Sequence, residues 1–324
     1  MGLLLGIDIG GTNIKIAIID IKGRIIKNKI FSTRLSPGPG AIIEDISEAV
    51  KALIAQCGVS KKDIIGAGAG VPGAVNVKTG TVHYLTNILG WHEVPLAGIL
   101  KKKLNIPVII DNDANVMALG EFLFGAGIGA DNMLCITLGT GVGGGLVLNG
   151  RLYRGSDYAA GEFGHMPINI EGPKCKCGSR ACIESYAGSG YIVSDVITKI
   201  KKGAKTSIKK LVGGNFSKIT PEVISRAANA GDKFAMDVWR DVGRKIGTGL
   251  AGVVNLLNLE KIVIGGGLSE AGKDLFDSIK ETIGKRAMKL PAKTVRVVKA
   301  KLGYDAGAIG AAGLVLYELK GECA

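Results

Sequence analysis

The chain has 324 residues, a hydrophobic content of 47% and a formal net charge of +13 at pH 7. This length suits two domains, and the apolar content with 50 glycines excludes a disordered chain and favours a tightly turned α/β protein. No apolar run approaches the roughly 18 residues of a membrane span, and the N-terminus has no basic segment like that of a signal peptide. We therefore expect a cytoplasmic protein with no membrane partner.

The positive charge is compatible with nucleic-acid binding, but the lysines are spread along the chain. The one dense stretch, residues 199–210, holds six lysines and no acid. A solvated helix end followed by a loop explains it better than a nucleic-acid patch. We predict no nucleic-acid partner, and part of the positive field can attract an anionic nucleotide.

The first predicted elements are strands at about 3–9 and 14–20, joined by a glycine turn. Asp8 lies near the end of the first strand, and the turn consists of Gly10, Gly11 and Thr12. Glycines permit positive φ angles and leave no Cβ in the way of a ligand, so the backbone N–H groups and the Thr12 hydroxyl can bind phosphate oxygens. A carboxylate in this position suits Mg²⁺. A plain β-hairpin with one buried aspartate is the alternative interpretation of this stretch.

The first half continues with elements joined by short loops. These are a strand at 24–32, a helix with an apolar face over 42–54, a strand at 64–69, a hairpin at 74–76 and 81–84, a helix from Pro95 to about 103, a strand at 107–110 and a helix at 114–124.

Asp111, Asn112 and Asp113 fall where the last of these strands gives way to the helix. Ligands gather at the carboxyl ends of strands in α/β sheets. A carboxylate there can take the proton of an attacking hydroxyl during phosphoryl transfer. Helix capping is the alternative, but capping needs only one of the three residues, so we favour a functional role.

A second stretch, residues 134–150, repeats the design of the first: a strand, a turn and a returning strand. Its turn consists of Gly139, Thr140 and Gly141. Gly139 aligns with Gly10, and both stretches then turn into a third strand, which indicates an internal duplication. Two such hairpins facing each other would grip a polyphosphate from both sides. The glycine spacing also matches a dinucleotide-binding fingerprint, but a predicted strand follows it instead of a helix.

The second half continues with a polar loop to about residue 179 and several long helices. The elements are helices at 184–201, from Thr220, at 232–257, at 270–288 and at 306–320, with strands at 261–267 and 294–300. The strand at 261–267 ends in Gly265, Gly266 and Gly267. Close approach by a flat ligand such as adenosine and a structural turn explain this triplet equally well. The stretch 267–274 nearly spells a P-loop, but Asp274 stands where a hydroxyl should meet Mg²⁺.

Three cysteines and a histidine in the polar loop have the spacing of a metal site. They are His165, Cys175, Cys177 and Cys182. One nitrogen and three sulfurs form the ligand set of a structural Zn²⁺ site, and in a cytoplasmic chain such a cluster favours metal over disulfides. Glu162 and Glu184 flank this cluster and can accept hydrogen bonds from neighbouring sugar hydroxyls. Surface charge in a basic neighbourhood explains these two acids about as well.

Taken together, these residues resemble the ROK (repressor, open reading frame, kinase) family of sugar kinases, within the actin/hexokinase-like ATPase superfamily. The motifs that carry the resemblance are residues 8–15 (Asp-Ile-Gly-Gly-Thr-Asn-Ile-Lys), 111–115 (Asp-Asn-Asp-Ala-Asn), 138–145 (Leu-Gly-Thr-Gly-Val-Gly-Gly-Gly), 161–166 (Gly-Glu-Phe-Gly-His-Met) and the Cys-x-Cys-Gly-x-x-x-Cys-x-Glu pattern of 175–184. The last two are highly specific. One departure is Ala181, where the zinc motif usually has glycine; it leaves the zinc prediction standing.

The resemblance implies two ribonuclease H-like α/β domains with the active site in the cleft between them. The first domain would comprise 1–117 and about 306–324, and the second 118–305. It also implies ATP-dependent phosphorylation of a hexose, with Asp113 as the general base and Asp8 positioning Mg²⁺. The residues that would hold sugar hydroxyls are Asn87, Asn112, Asp113, Glu162, His165 and Glu184. The residues that would bind ATP are Asp8, Lys15, the two glycine turns at 10–12 and 139–141, and the triplet at 265–267.

Within the family, the loops at 70–74 and 87–91 look most like those of glucokinases, and family members usually form dimers or tetramers. N-acetylmannosamine, N-acetylglucosamine and fructose kinases share nearly all of these motifs, and polyphosphate is an alternative donor. A second class is the sugar-responsive ROK repressor, which carries an N-terminal helix-turn-helix. We expect none here, because the phosphate strand starts at Leu3. A sugar sensor without catalysis is disfavoured by the intact Asp113.

Overall fold

A computed structural model describes residues 2–33, 38–85 and 90–321. Its contacts divide the chain into two compact units. The first comprises Met1–Asp131, Gly145–Gly161 and Ala300–Ala324, and the second comprises Asn132–Gly144 and Glu162–Lys299. The domain limits expected from the sequence, at 117 and 306, stay a prediction.

The strands and helices follow one another in a mixed α/β order. The strands are β1 (Leu3–Ile9), β2 (Asn13–Asp20), β3 (Ile25–Ser32), β4 (Ile64–Val71), β5 (Ala74–Asn76), β6 (Thr81–Tyr84), β7 (His92–Val94), β8 (Val108–Asn112), β9 (Met133–Leu138), β10 (Val142–Leu148), β11 (Arg151–Tyr153), β12 (Lys261–Gly265) and β13 (Arg296–Lys299). The helices are α1 (Gly38–Cys57), α2 (Leu96–Leu104), α3 (Asp113–Phe124), α4 (Glu184–Ala187), α5 (Ser189–Lys201), α6 (Ile208–Leu211), α7 (Pro221–Asn229), α8 (Lys233–Leu257), α9 (Lys273–Arg286), α10 (Lys289–Thr294) and α11 (Ala306–Gly321).

A five-stranded sheet in the order β3-β2-β1-β4-β8 forms the frame of the first unit. Strands β1 and β2 pair antiparallel, while β1/β4 and β4/β8 pair parallel. Alternate side chains of β1 point to opposite faces. Leu5, Ile7 and Ile9 join the core formed with α1 and α2, whereas Leu4 joins a second core with α11. The parallel strands therefore bring the ends of β1, β4 and β8 to one edge of the sheet.

The second five-stranded sheet has the order β11-β10-β9-β12-β13, in which each strand occupies the place of its counterpart in the first sheet. The pairs β9/β12 and β12/β13 are again parallel. The duplication predicted from the two glycine turns is thus present in the topology. Strand β10 follows the Gly139–Gly141 turn directly, which confirms that this glycine spacing is no dinucleotide fingerprint.

Helix α11 lies unusually close to the first sheet because glycines face it. A Cβ added to Gly6 would come within 1.9 Å of the Ala308 carbonyl oxygen, and one added to Gly68 within 1.7 Å of that of Ala311. Only residues without a side chain allow this approach. The C-terminal helix is therefore an integral layer of the first unit.

Three details differ from the expected elements. The helix predicted over 184–201 is interrupted at Gly188, whose ψ of 142° is extended. The helix predicted over 270–288 begins only at Lys273, because Gly272 has a φ of +91°. Pro95 is the residue before α2 rather than its first helical residue. The short elements β7, α6 and α10 were not predicted. No helix among the described residues is long and apolar enough to cross a lipid bilayer.

Candidate active site

The first glycine turn is held by two hydrogen bonds that Thr33 donates to its carbonyl groups. The Thr33 hydroxyl donates to the Gly10 carbonyl at 2.7 Å, and its backbone N–H donates to the Thr12 carbonyl at 2.9 Å. These bonds fix the carbonyl groups of the turn on the protein side. Thr33 is a residue that the sequence analysis did not single out.

Asp8 lies at the end of β1, opposite Lys15 on β2. Burial raises the pKa of Asp8 above its ordinary value, against the effect of the Lys15 charge. Its carboxylate faces the first turn of α11, where a Cβ on Gly307 would come within 2.4 Å of one oxygen. A partly buried carboxylate is a suitable ligand for a divalent cation, because the ion would offset the cost of taking the charge out of water.

The Lys15 ammonium is oriented toward the end of the chain rather than along the turn. It donates to the Tyr304 backbone oxygen and lies over the Tyr304 ring. Burial lowers the pKa of Lys15, whereas the charges of Asp8 and Asp305 raise it.

The second glycine turn is braced by the segment that follows the cysteine cluster. The Ser189 N–H donates to the Gly139 carbonyl at 2.9 Å, and the Val142 N–H donates to the Glu184 carboxylate at 3.0 Å. Gly141 lies against the same carboxylate, since a Cβ there would come within 2.5 Å of Glu184 Oε2. Glu184, predicted as a sugar ligand, therefore also holds the turn predicted to bind phosphate.

The middle residue of the glycine triplet at the end of β12, Gly266, is required by the structure. Gly266 has a φ of +84°, and a Cβ there would come within 2.3 Å of the Leu138 carbonyl oxygen. The Ser269 hydroxyl donates to the Gly266 carbonyl at 2.7 Å. Packing against β9 thus explains Gly266. By contrast, a Cβ on Gly267 would meet nothing within 4 Å.

The three polar residues at the junction of β8 and α3 have different roles. Asn112 is the N-cap of α3, with its side-chain oxygen accepting from Ala114 and Asn115, and its amide donates to the Gly73 carbonyl at 3.1 Å. Asp113 is the first residue of α3. Asp111 is 1% exposed and pairs with Arg154, its Oδ2 lying 2.7 Å from Nε. The predicted capping role therefore belongs to Asn112. Arg154 was missed because its partner is far away in the chain.

The predicted zinc ligands come together. The ligand atoms of His165, Cys175, Cys177 and Cys182 all lie within 4.8 Å of one another. His165 Nδ1 is 3.7 Å from Cys175 Sγ, and Cys177 Sγ is 3.8 Å from Cys182 Sγ. Tetrahedral zinc with bonds of about 2.3 Å to sulfur would place two sulfurs about 3.8 Å apart. The donor set and its spacing therefore fit Zn²⁺.

The loop that carries the cysteines contains a tight turn. A turn is closed by the Cys175 N–H on the Ser179 carbonyl at 2.8 Å. Burial raises the pKa of the Cys182 thiol to about 12, and the Ser179 N–H lowers the pKa of the exposed Cys177. A metal must therefore displace protons from these thiols. Ala181 has a φ of +56°, a conformation that glycine takes more easily, which explains why glycine is usual there.

His165 offers different nitrogens to the cluster and to the rest of the site. Nδ1 faces the sulfurs, and Nε2 lies 3.9 Å from Glu162 Oε2. Metal bound at Nδ1 leaves the proton on Nε2, so His165 would present a donor and Glu162 an acceptor side by side. This pairing suits the hydroxyl groups of a polyol.

The structure distributes the predicted residues over the two units. The first unit holds Asp8, Gly10, Gly11, Thr12, Lys15, Asn112 and Asp113, and the second holds Gly139, Thr140, Gly141, Glu162, His165, Glu184, Gly265, Gly266, Gly267 and the three cysteines. Asn87 lies outside the described residues.

Residues 4–318 match the ROK family of proteins. The chain belongs to the ROK family. The chain is 40% identical over 315 residues to a glucokinase of Halalkalibacterium halodurans, with 96% of this chain and 94% of that protein covered. A ROK glucokinase of Streptomyces griseus, solved with glucose and AMPPNP, matches with a TM-score of 0.83 and 35% identity, covering 97% of this chain and 99% of that one.

The ROK family also includes regulators that resemble this chain. A xylose repressor of Caldicellulosiruptor bescii is 30% identical over 319 residues, which is 98% of this chain and 79% of the repressor. The repressor therefore has a substantial part that this ROK protein does not match. The fold is the actin/hexokinase-like ATPase fold of the ROK sugar kinases.

Proposed function

We propose that this protein phosphorylates glucose at the 6-hydroxyl with ATP, giving glucose 6-phosphate and ADP. The similarity to glucokinases over nearly the whole chain supports this proposal best, including one solved with glucose and a non-hydrolysable ATP analogue. The predicted site residues are compatible with it, since an acid begins α3 and two glycine turns are available for phosphate.

In the proposed reaction Asp113 accepts the proton of the sugar 6-hydroxyl as its oxygen attacks the γ-phosphorus. The new O–P bond forms while the bond to the bridging oxygen of ADP breaks, so the electron pair leaves with ADP. Asn112, Glu162, His165 and Glu184 hold sugar hydroxyls, together with Asn87. The turns at 10–12 and 139–141 bind the ATP phosphates through backbone N–H groups other than those of Gly10 and Gly139, which donate to the Asn13 and Gly141 carbonyls.

Two metals belong to this proposal. His165 and the three cysteines would hold Zn²⁺, and this coordination would order the loop that carries Glu184 and orient the His165 ring. Mg²⁺ neutralises phosphate charge when it is bound with ATP, and Asp8 is the residue we assign to holding it. Its burial and its place beside the first glycine turn support this assignment.

The test of the function is a coupled assay of ADP formation across glucose, mannose, fructose, N-acetylglucosamine and N-acetylmannosamine. We expect the highest kcat/KM with glucose, and turnover with ATP above that with polyphosphate. A higher kcat/KM with an N-acetylhexosamine or with fructose would replace glucose by that sugar. ADP formation that no sugar stimulates, together with sugar-sensitive binding to DNA, would favour a regulator instead. The expected dimer or tetramer is tested separately by analytical ultracentrifugation.

Gly141→Ala is expected to raise KM for both glucose and ATP by about tenfold, with a smaller change in kcat. The new Cβ would come within 2.5 Å of Glu184 Oε2, so the carboxylate must move and its bond to the Val142 N–H is lost. Loss of a hydrogen bond to a charged group costs about 1.5–3 kcal/mol. Steady-state kinetics in both substrates measure this effect.

Gly190→Ala is the matched control, because a Cβ at that place in α5 meets nothing within 4 Å. Its kinetics should equal those of the wild type. If Gly141→Ala raised KM for ATP alone, the assignment of Glu184 to the sugar would be wrong.

A further inference from the structure

The carboxylate of Asp111 is fixed on every side. Oδ1 accepts from the Asn112 N–H at 2.7 Å and from the Asn115 amide at 2.9 Å, and Oδ2 accepts from Arg154 Nε at 2.7 Å. The side chain is 1% exposed. Asp111 therefore lies at the junction of β8 and α3, where Asn112 ends the strand and Asp113 begins the helix.

Arg154 is held as firmly from its other side. Its Nη2 donates to Glu318 of α11 at 2.7 Å, and its guanidinium lies 5.8 Å from the centre of the Tyr317 ring. The Tyr317 hydroxyl in turn accepts from the Leu152 N–H at 2.9 Å. Burial lowers the pKa of Arg154, but the carboxylates of Asp111 and Glu318 raise it further, so that the pKa lies above its usual value. The guanidinium is thus a permanent, immobile cation bridging two acids.

The backbone of Arg154 also contacts the segment that leads to Glu162, a predicted sugar ligand. Its carbonyl accepts from the Ala160 N–H at 3.0 Å and closes the loop that follows β11. Glu162 comes two residues after Ala160. Arg154 therefore holds the β8–α3 junction through its side chain, and it holds the loop that leads to residues 161–166 through its main chain.

We propose that Arg154 is a positioning residue for phosphoryl transfer, acting through Asp111 to fix the Asn112–Asp113 turn. The inference rests on the proposed function, in which Asp113 is the base. A base contributes fully only when it lies within hydrogen-bond reach of the proton it removes, and a displacement of about 1 Å costs on the order of a hundredfold in rate. The planar guanidinium sets the direction of the Asp111 carboxylate as a lysine ammonium cannot.

Two variants test the proposal without relying on one that fails to fold. Arg154→Lys keeps a cation beside Asp111 but cannot bond Asp111 and Glu318 in one fixed plane. The double variant D111N/R154M removes the Asp111–Arg154 charge pair from the interior, while Glu318, whose side chain is 33% exposed, stays accessible to water. Arg151→Met is the matched control, because Arg151 is exposed on β11, three residues before Arg154. Thermal melting is recorded for all three variants.

We expect kcat to fall about ten- to a hundredfold in both test variants, with KM for ATP within about twofold of the wild type and a rise in KM for glucose that is smaller than the fall in kcat. The control should keep wild-type kinetics. A merely structural pair would lower the melting temperature and leave kcat per folded molecule unchanged, and that result in D111N/R154M would overturn the proposal. So would a rise in both KM values at constant kcat.

Failure of the proposed function is recognised separately, in the wild-type protein. If the sugar panel shows another hexose as the substrate, the same comparison is made with that sugar. If the wild type phosphorylates none of the sugars, the proposed function is wrong before any variant is measured.

Discussion

Asp113→Asn is expected to lower kcat by about 10²–10⁴-fold, the usual contribution of a general base. The amide has the same shape as the carboxylate. Its oxygen can still accept the hydrogen bond that the Ala114 N–H donates to Asp113 Oδ1 at 2.8 Å. It cannot take the proton of the sugar hydroxyl. Glucose should therefore bind with nearly unchanged affinity, measured by isothermal titration, while turnover in the coupled assay is almost lost.

The same change at an exposed acid provides the control. Asp277 lies on α9, more than half exposed beside Lys273, and Asp277→Asn should leave both kinetics and glucose binding unaltered. Near-normal kcat in Asp113→Asn would remove Asp113 from its role as base. Loss of glucose binding together with turnover would indicate a role in sugar binding alone.

Cys177→Ser is expected to cost the protein its zinc and several kcal/mol of unfolding free energy. Loss of a metal site is among the few single changes with so large an effect. Because Cys177 is exposed, exchange of sulfur for oxygen there disturbs little packing, and the loss reports on the metal. For domains of this size the melting temperature should fall on the order of 10 °C.

The measurements for this prediction are metal analysis and thermal melting. Wild-type protein should contain one zinc ion per chain, and the variant none. Cys57→Ser is the control, since Cys57 ends α1 and lies outside the cluster; it should keep both zinc and melting temperature. Wild-type protein purified free of zinc, with unchanged stability on adding it, would contradict the site.

Zinc removal should also weaken binding of both substrates. Cys182 is followed two residues later by Glu184, whose carboxylate accepts from the Val142 N–H beside the second glycine turn. A loop that loses its metal no longer fixes that carboxylate. Protein treated with a chelator and kept folded at low temperature should therefore show raised KM for glucose and ATP, restored by added Zn²⁺.

Local patterns predicted the parts of the site that are close in sequence. The β1–β2 hairpin was readable because Ile7 and Ile16 alternate with polar neighbours, and these two residues are cross-strand partners. The cysteine cluster was readable because its four members lie within 18 residues. The break of the predicted helix 184–201 at Gly188 was not expected, since an isolated glycine in a helical pattern is often tolerated.

Long-range pairs left no sequence pattern. Arg154 reaches Asp111 across 43 residues, and an arginine in a loop normally indicates solvent. Glu121 shows the same difficulty: it is fully buried in α3, yet it accepts from the N–H groups of Lys301 and Leu302, 180 and 181 residues away. Only the folded chain reveals why these charged residues are inside.

If the cluster holds zinc as proposed, the exposure of Cys177 would also make this loop sensitive to oxidants. Peroxide reaches this sulfur before the buried Cys175 and Cys182, and oxidation to a sulfenic acid would remove one of the four donors. Oxidative stress would then eject the ion and weaken the grip on both substrates without altering any residue that touches them. We therefore expect slow inactivation of the protein during storage in air, and recovery of activity on adding a thiol reductant together with zinc.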